Sequence, residues 1–260
     1  MTKSLIVEKS GRVATITNND PPYNRMTLDY IDELEKVIEE LGKDESIGAI
    51  VLRGSGDEHF SVGMNLKQLP EGIQKKGSSD ALFDQRLKVI AAIENMSKPV
   101  IATLYGYCLG GGLEIPLGCH FRLAAEKGTQ IGLPELDLGS IPAWGGTARL
   151  TRCVGRDAAL DIILRAKKIS AQEAFRIGLV HEVHPNDMLQ QKAFELAEHL
   201  ANMPAKAVKW VLKCVVHAES VTLPEALAIE RQGVNATFGT PDQIEGMKAF
   251  IEKRKPQFNH

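Results

Sequence analysis

Two glutamates and two glycine-containing stretches are the residues of this chain whose types and spacing could do chemistry. The first stretch is Phe60-Ser-Val-Gly-Met-Asn-Leu-Lys67, and the second is Gly106-Tyr-Cys-Leu-Gly-Gly-Gly-Leu-Glu114. Three successive glycines at the junction of a strand and a helix remove every Cβ where the helix begins. A ligand can then approach bare N–H groups that carry the positive end of the helix dipole. From spacing alone, tight helix–strand packing explains the glycines equally well. Glu114 falls just inside the expected helix, and Glu135 closes Gly132-Leu-Pro-Glu135. Two carboxylates around one pocket can serve as general base and general acid. Taken singly, Glu114 reads as a helix-start charge and Glu135 as an ordinary loop carboxylate, and spacing does not show that they converge. Other chemistries lack their signatures. No Gly-Lys-Ser/Thr follows either glycine stretch, neither matches the dinucleotide pattern, no serine-hydrolase elbow occurs, and His181-Glu-Val-His184 does not have zinc-protease spacing.

The elements that must position these residues follow from periodicity. Leu5–Val7 and Val13–Ile16 read as short strands around a Ser10-Gly11 turn. Residues 18–24 read as irregular because Pro21-Pro22 excludes regular pairing. Thr27 is a plausible N-cap for a helix whose apolar face is Leu28, Ile31, Leu34, Val37, Ile38 and Leu41. Ile47–Leu52 and Val100–Leu104 are near-continuous apolar runs, as expected of buried parallel strands. Lys67–Asp84, with Pro70, Gly72, Gly77, Ser78 and Ser79, reads as a mobile segment lining a binding site. Capping signals at Ser170-Ala-Gln-Glu173, Asn186, Thr222-Leu-Pro-Glu225 and Thr240-Pro241 mark later helices, with Gly178 as a helix stop. The pattern is α/β, passing to all-helical near residue 200: 1–200 is the expected core and 201–260 a helical appendage.

Composition sets the outer limits. The 260 residues carry 31 Lys+Arg against 33 Asp+Glu, a net charge of −2, so no general field attracts nucleic acid or anionic lipid. The four cysteines form no CxxC pair or metal-ligand spacing, so buried free thiols are expected. No apolar run approaches the 18 residues of a membrane span and the N-terminus lacks a secretory signal, which points to a cytoplasmic protein.

The sequence resembles the crotonase superfamily, the enoyl-CoA hydratase/isomerase family, over nearly its whole length. The motifs that carry this are Phe60-Ser-Val-Gly-Met-Asn-Leu, Gly106-Tyr-Cys-Leu-Gly-Gly-Gly-Leu-Glu, Leu133-Pro-Glu-Leu-Asp-Leu-Gly-Ser-Ile-Pro, Gly145-Gly-Thr-Ala-Arg-Leu and Ala249-Phe-Ile-Glu-Lys-Arg-Lys, in that order. The resemblance implies a spiral of repeated ββα units with a C-terminal helical region used in trimerisation, so a homotrimer or a hexamer of paired trimers. It also implies an acyl-CoA thioester substrate whose oxygen lies between the N–H groups of Met64 and Gly111, worth roughly 3 kcal/mol of barrier per donor. Glu114 and Glu135 would add water across C2=C3, with the Ala143 N–H holding the water. Val62, Asn65, Leu66, Lys67, Gly110, Ala143 and Trp144 would contact substrate. Neither metal nor redox cofactor is implied, coenzyme A being part of the substrate. Departures are Asn65 and His120 where Asp is common, Pro116 inside the helix after Glu114, Pro22 where a coenzyme-binding Lys is common, and Trp144 where a small residue is usual. These point to an acyl group other than a plain straight chain. Double-bond isomerisation, thioester hydrolysis and decarboxylation are alternative reactions of the family. RNA binding is the non-enzymatic alternative, which Glu33, Glu35, Glu39 and Glu40 on the first helix disfavour.

Overall fold

The structure, a computed structural model, describes residues 3–259. Strands β1 (Leu5–Ser10) and β2 (Val13–Asn18) form an antiparallel hairpin turned at Gly11. Helix α1 (Leu28–Lys43) begins at Thr27, whose hydroxyl accepts from the Tyr30 N–H, and buries Leu28, Ile31, Leu34, Ile38 and Leu41. Strand β3 spans Ala49–Gly54, two residues beyond the apolar run that announced it. Ile47 is buried ahead of the ladder, and pairing starts at Ala49 opposite Val13.

The segment expected to be mobile is instead helical. A 3₁₀ turn at Leu66–Gln68 leads into α2 (Leu69–Lys76), and α3 covers Ser79–Glu94. Its glycine and serines are caps: Gly77 takes φ +90° after α2, and the Ser78 hydroxyl accepts from the Ala81 N–H to start α3.

Strand β4 (Val100–Leu104) matches its expected bounds. It is followed by β5 (Tyr107–Leu109), α4 (Gly111–Gly118), β6 (Phe121–Ala125) and β7 (Gln130–Gly132). Helices α5 (Gly146–Val154), α6 (Arg156–Leu164) and α7 (Ala171–Arg176) precede β8 (Glu182–His184) and α8 (Leu189–Ala201). Ser170 caps α7 through the Glu173 N–H, as its spacing implied. Asn186 does not cap α8. Its side chain is engaged with both backbone groups of Lys127, and the helix starts at Leu189.

The main sheet has the order β1-β2-β3-β4-β6-β8, parallel from β2 onward, and β5 pairs with β7 in a second, smaller layer. Single parallel bridges between Met26 and Met64 and between Ser61 and Cys108 extend that layer. Each turn of the chain therefore gives one main-sheet strand, one short stretch in the second layer and then a helix. This is the ββα spiral, and the crotonase fold. Helices α9 (Ala205–Ala218), α10 (Leu223–Thr237) and α11 (Pro241–Ile251) follow the last strand. Their caps agree with the sequence: the Glu225 carboxylate accepts from the Thr222 N–H, and the Thr240 hydroxyl from Gln243. No described helix is long and apolar enough to cross a membrane.

Helix α4 carries Glu114 and contains Pro116, which supplies no N–H to the helix ladder. Buried Arg122 braces its far end. Its guanidinium donates to the carbonyls of Pro116 (3.2 Å), Cys119 (2.6 Å) and Leu179 (2.7 Å). Arg122→Met should therefore leave buried carbonyls without donors and cost about 3 kcal/mol. A lower urea midpoint at unchanged m-value would show it, and an unchanged midpoint would refute the bracing role.

Candidate active site

The second layer brings the two glycine-containing stretches together. Phe60 N–H donates to Tyr105 O (2.8 Å), Ser61 N–H to Tyr107 O (3.0 Å) and Leu109 N–H to Ser61 O (3.1 Å). This ladder lays Ser61–Met64 along Tyr107–Gly111. Gly63, at φ +92°, is the point of closest approach. A Cβ there would stand 2.7 Å from Leu109 O and 3.2 Å from Gly111 N, so only glycine permits it.

The neighbouring N–H groups are occupied. Val62 donates to Tyr23 O (3.0 Å), Asn65 to Met26 O (3.2 Å), Gly110 to Gly132 O (3.1 Å), and Gly63 to the Ser61 hydroxyl (3.0 Å). The N–H groups of Met64 and Gly111 meet no acceptor among the described residues. Unpaired N–H groups at such a position are uncommon. Two such groups on adjacent segments, one opening a helix, are the donor chemistry that an oxygen carrying negative charge calls for.

Glu114 projects from the first turn of α4 and is 2% exposed. Its Oε1 accepts from the N–H groups of Trp144 (2.7 Å) and Gly146 (2.9 Å). Burial, helped by the negative charge of Glu135, pushes its pKa up to about 7 against the lowering effect of those two N–H donors. Glu135 opens the 3₁₀ turn Glu135–Leu138. Its Oε1 lies 2.8 Å from where a Cβ on Gly110 would be, so a side chain at position 110 would displace the carboxylate. Its Oε2 is buried without a partner among the described residues, and burial raises its pKa too. Glu135 thus lies against Gly110, and Glu114 is held by the backbone of Trp144, whose ring meets Gly111.

Other expected contact residues lie around this centre. The Trp144 ring packs over Gly111, and its backbone holds Glu114. Ala143, half-buried, has an N–H that meets no acceptor among the described residues. Leu66 and Lys67 stand exposed at the start of the 3₁₀ turn that Asn65 precedes. Pro22 is exposed. His120 lies apart, behind β4. Its Nδ1 accepts from the Val100 N–H, and burial lowers its pKa to about 4, so it is a neutral structural group.

Five contributors escape a reading of the sequence. Gly63 lay inside a quoted motif, but its pairing partner is distant in sequence. The Trp144 and Gly146 N–H groups carry no residue-type signal. Arg149 fixes their loop, donating to Trp144 O (3.2 Å) while its Nη2 meets Glu94 at 2.9 Å. Arg86 did leave a signal: it occupies an apolar-periodic position, with Leu82, Val89, Ile90 and Ile93, on the buried face of α3.

The raised pKa of Glu114 bears on stability. The folded state holds the proton more tightly than the unfolded chain, so rising pH destabilises the fold between the ordinary carboxylate pKa, 4.5, and about 7. Glu114→Gln removes this cost and still offers an oxygen to the two N–H donors. It should raise stability at pH 8 by up to roughly 3 kcal/mol and do nothing at pH 4. Urea unfolding at the two pH values measures the difference, and equal effects at both would refute the linkage.

Comparison with known proteins accords with the geometry. The family model for enoyl-CoA hydratase/isomerase matches residues 8–260. A short-chain-enoyl-CoA hydratase of Clostridium acetobutylicum is 36% identical, covering 97% of this chain and 96% of the relative. A probable enoyl-CoA hydratase of Rhizobium meliloti is 38% identical, covering 99% and 98%. The crystal structure of an enoyl-CoA hydratase from Bacillus anthracis superposes with a TM-score of 0.91 at 32% identity, covering 98% of each chain. A spiral fold shared at this level, with sequence similarity over nearly the whole length, shows that the chain is an enzyme of the enoyl-CoA hydratase/isomerase family.

Proposed function

We propose that the chain hydrates a trans-2-enoyl-CoA thioester, or dehydrates its 3-hydroxy product, with Glu114 as base and Glu135 as acid. The observation that carries this is the pair of unpaired N–H groups at Met64 and Gly111 beside two buried carboxyls of raised pKa. The thioester oxygen accepts from both N–H groups, and C3 becomes electrophilic as charge moves onto that oxygen. Glu114 takes a proton from a water held by the Ala143 N–H, and the hydroxide oxygen bonds to C3. The C2=C3 electron pair moves into the enolate, and collapse of the enolate takes a proton from Glu135 at C2. Each turnover leaves Glu114 protonated and Glu135 ionised, so the two must exchange protons before the next. One shared proton suits a pair whose neighbouring charges oppose double ionisation. Coenzyme A enters as part of the substrate. Val62, Asn65, Leu66 and Lys67 would border it near the Met64 donor.

A homotrimer, alone or paired into a hexamer, is the assembly that the C-terminal helices favour. Val211, Val215, Leu227, Val234 and Phe250 on α9–α11 are between 49% and 84% exposed, an apolar surface that a lone chain would leave in water. Sedimentation equilibrium should give three or six times the chain mass, and a monomer would refute this.

The roles are tested by the loss of conjugated-thioester absorbance. Glu114→Gln and Glu135→Gln should each lower kcat by about 10²–10⁴; turnover left intact in either would refute its role. A base must be ionised and an acid protonated, so kcat/KM should be bell-shaped, with the limb near pH 7 set by Glu114. Glu135→Gln removes the charge that raises the pKa of Glu114, so the acid limb of the residual activity should move to lower pH. A limb that stays in place would refute the coupling.

A further inference from the structure

Arg86 is one of the largest fully buried side chains, at 1% exposure, and the mechanism above does not use it. It projects from the buried face of α3 among Leu82, Val89, Ile90 and Ile93. Its Nη1 donates to Leu82 O (2.9 Å) and to the Gln85 side chain (2.9 Å). Its Nε is buried without a partner, and its Nη2 donates to nothing among the described residues. No carboxylate touches it. The nearest influence is Asp32, which is already held by Lys75, Lys76 and Gln85.

A guanidinium 1% exposed, with no anion in contact among the described residues, is costly, and burial does lower the Arg86 pKa. Its position is informative. The guanidinium carbon lies 5.9 Å from the centroid of the Trp144 ring, and that ring rests on Gly111 while the Trp144 backbone holds Glu114. Arg86 is therefore one aromatic ring away from the reacting centre, on the side of Ala143–Trp144. A cation–π contact at this distance is at the outer limit and leaves the in-plane N–H fork unspent. That fork matches the two oxygens of a carboxylate.

We propose that Arg86 binds a carboxylate on the acyl chain, so that the preferred substrate is the mono-thioester of an unsaturated dicarboxylic acid. This rests on the hydratase reading and adds the chemical class of the acyl group. A site built around a buried charge rejects ligands that cannot pair with it far more strongly than an apolar pocket rejects a longer or shorter chain.

The experiment compares kcat/KM for glutaconyl-CoA and its one-carbon-longer homologue with crotonyl-CoA, 2-hexenoyl-CoA and the methyl ester of glutaconyl-CoA. The wild-type enzyme should favour the acids over their apolar and esterified counterparts by roughly 100-fold or more. In Arg86→Leu the ratio should collapse to below about 3, chiefly through KM for the acids, and Arg86→Lys should restore part of it. A wild-type preference for the apolar chains, equal use of acid and ester, or an undiminished ratio in Arg86→Leu would overturn the proposal and leave Arg86 as a prop for Trp144. Should Arg86→Leu fail to fold, the wild-type acid-to-ester ratio still decides. Turnover of neither class would instead overturn the hydratase reading, and this proposal with it.

Discussion

The site depends on one close approach: the backbone at Gly63 against the backbone at Leu109–Gly111. A Cβ at position 63 would meet Leu109 O at 2.7 Å, so any side chain there would force the two segments apart. Their separation sets the spacing of the Met64 and Gly111 N–H groups. These donors belong to successive turns of the spiral, and the hydrogen bonds of Phe60, Ser61 and Leu109 hold them in register. Neither can swing to find another acceptor, which is the preorganisation that the proposed oxyanion role requires. The glycines of the second stretch serve packing and chemistry together: the contact that allows tight packing also leaves the donors bare.

Glu114 shows the opposing requirement. A base working near neutral pH needs a pKa well above that of a free carboxylate, and burial supplies it. Unchecked burial would keep the proton in place at all useful pH values. The N–H groups of Trp144 and Gly146 restrain the rise by stabilising the ionised form. Their loop must then be held as firmly as the helix that bears the carboxylate, and the Arg149–Glu94 pair does this from α3. At the far end of α4, Arg122 donates to the carbonyls of Pro116 and Cys119, where the helix ends. Both arginines act by fixing backbone, and neither needs to touch a substrate.

What the sequence made legible divides along physical lines. Buried parallel strands lack alternation, so Val100–Leu104 could be read to the residue. The Ile47–Leu52 run slipped because Ile47 is buried before pairing begins, and apolar character does not mark where a ladder starts. Thr27, Ser170, Thr222 and Thr240 were readable as caps because capping is local chemistry. Lys67–Asp84 was misread because breakers that end one helix and begin the next look like a loop when only composition is weighed. The two carboxylates were visible, but their convergence was not: Glu114 and Glu135 belong to different turns of the spiral, and only the fold places them beside one donor pair.

The division of labour between main chain and side chain explains how an arginine can occupy an apolar position of α3. The proposed donors are backbone amides in the second layer, and Glu114, the proposed base, is held by backbone amides of the Trp144–Gly146 loop. Their geometry survives changes on the face of α3 that do not move the loop. In the proposed site the acyl group meets side chains, with Trp144 on one element and Arg86 on another. A charged residue at such a wall costs stability in the empty enzyme, because desolvation is not offset. That cost is recovered only when an anion arrives, and the recovery is binding energy available to one class of acyl chain and withheld from the rest. The proposed role of Arg86 joins it to the departure at Trp144: the ring lies 5.9 Å from the guanidinium carbon, and a charge buried beside it is both expensive in the empty enzyme and selective for a partner.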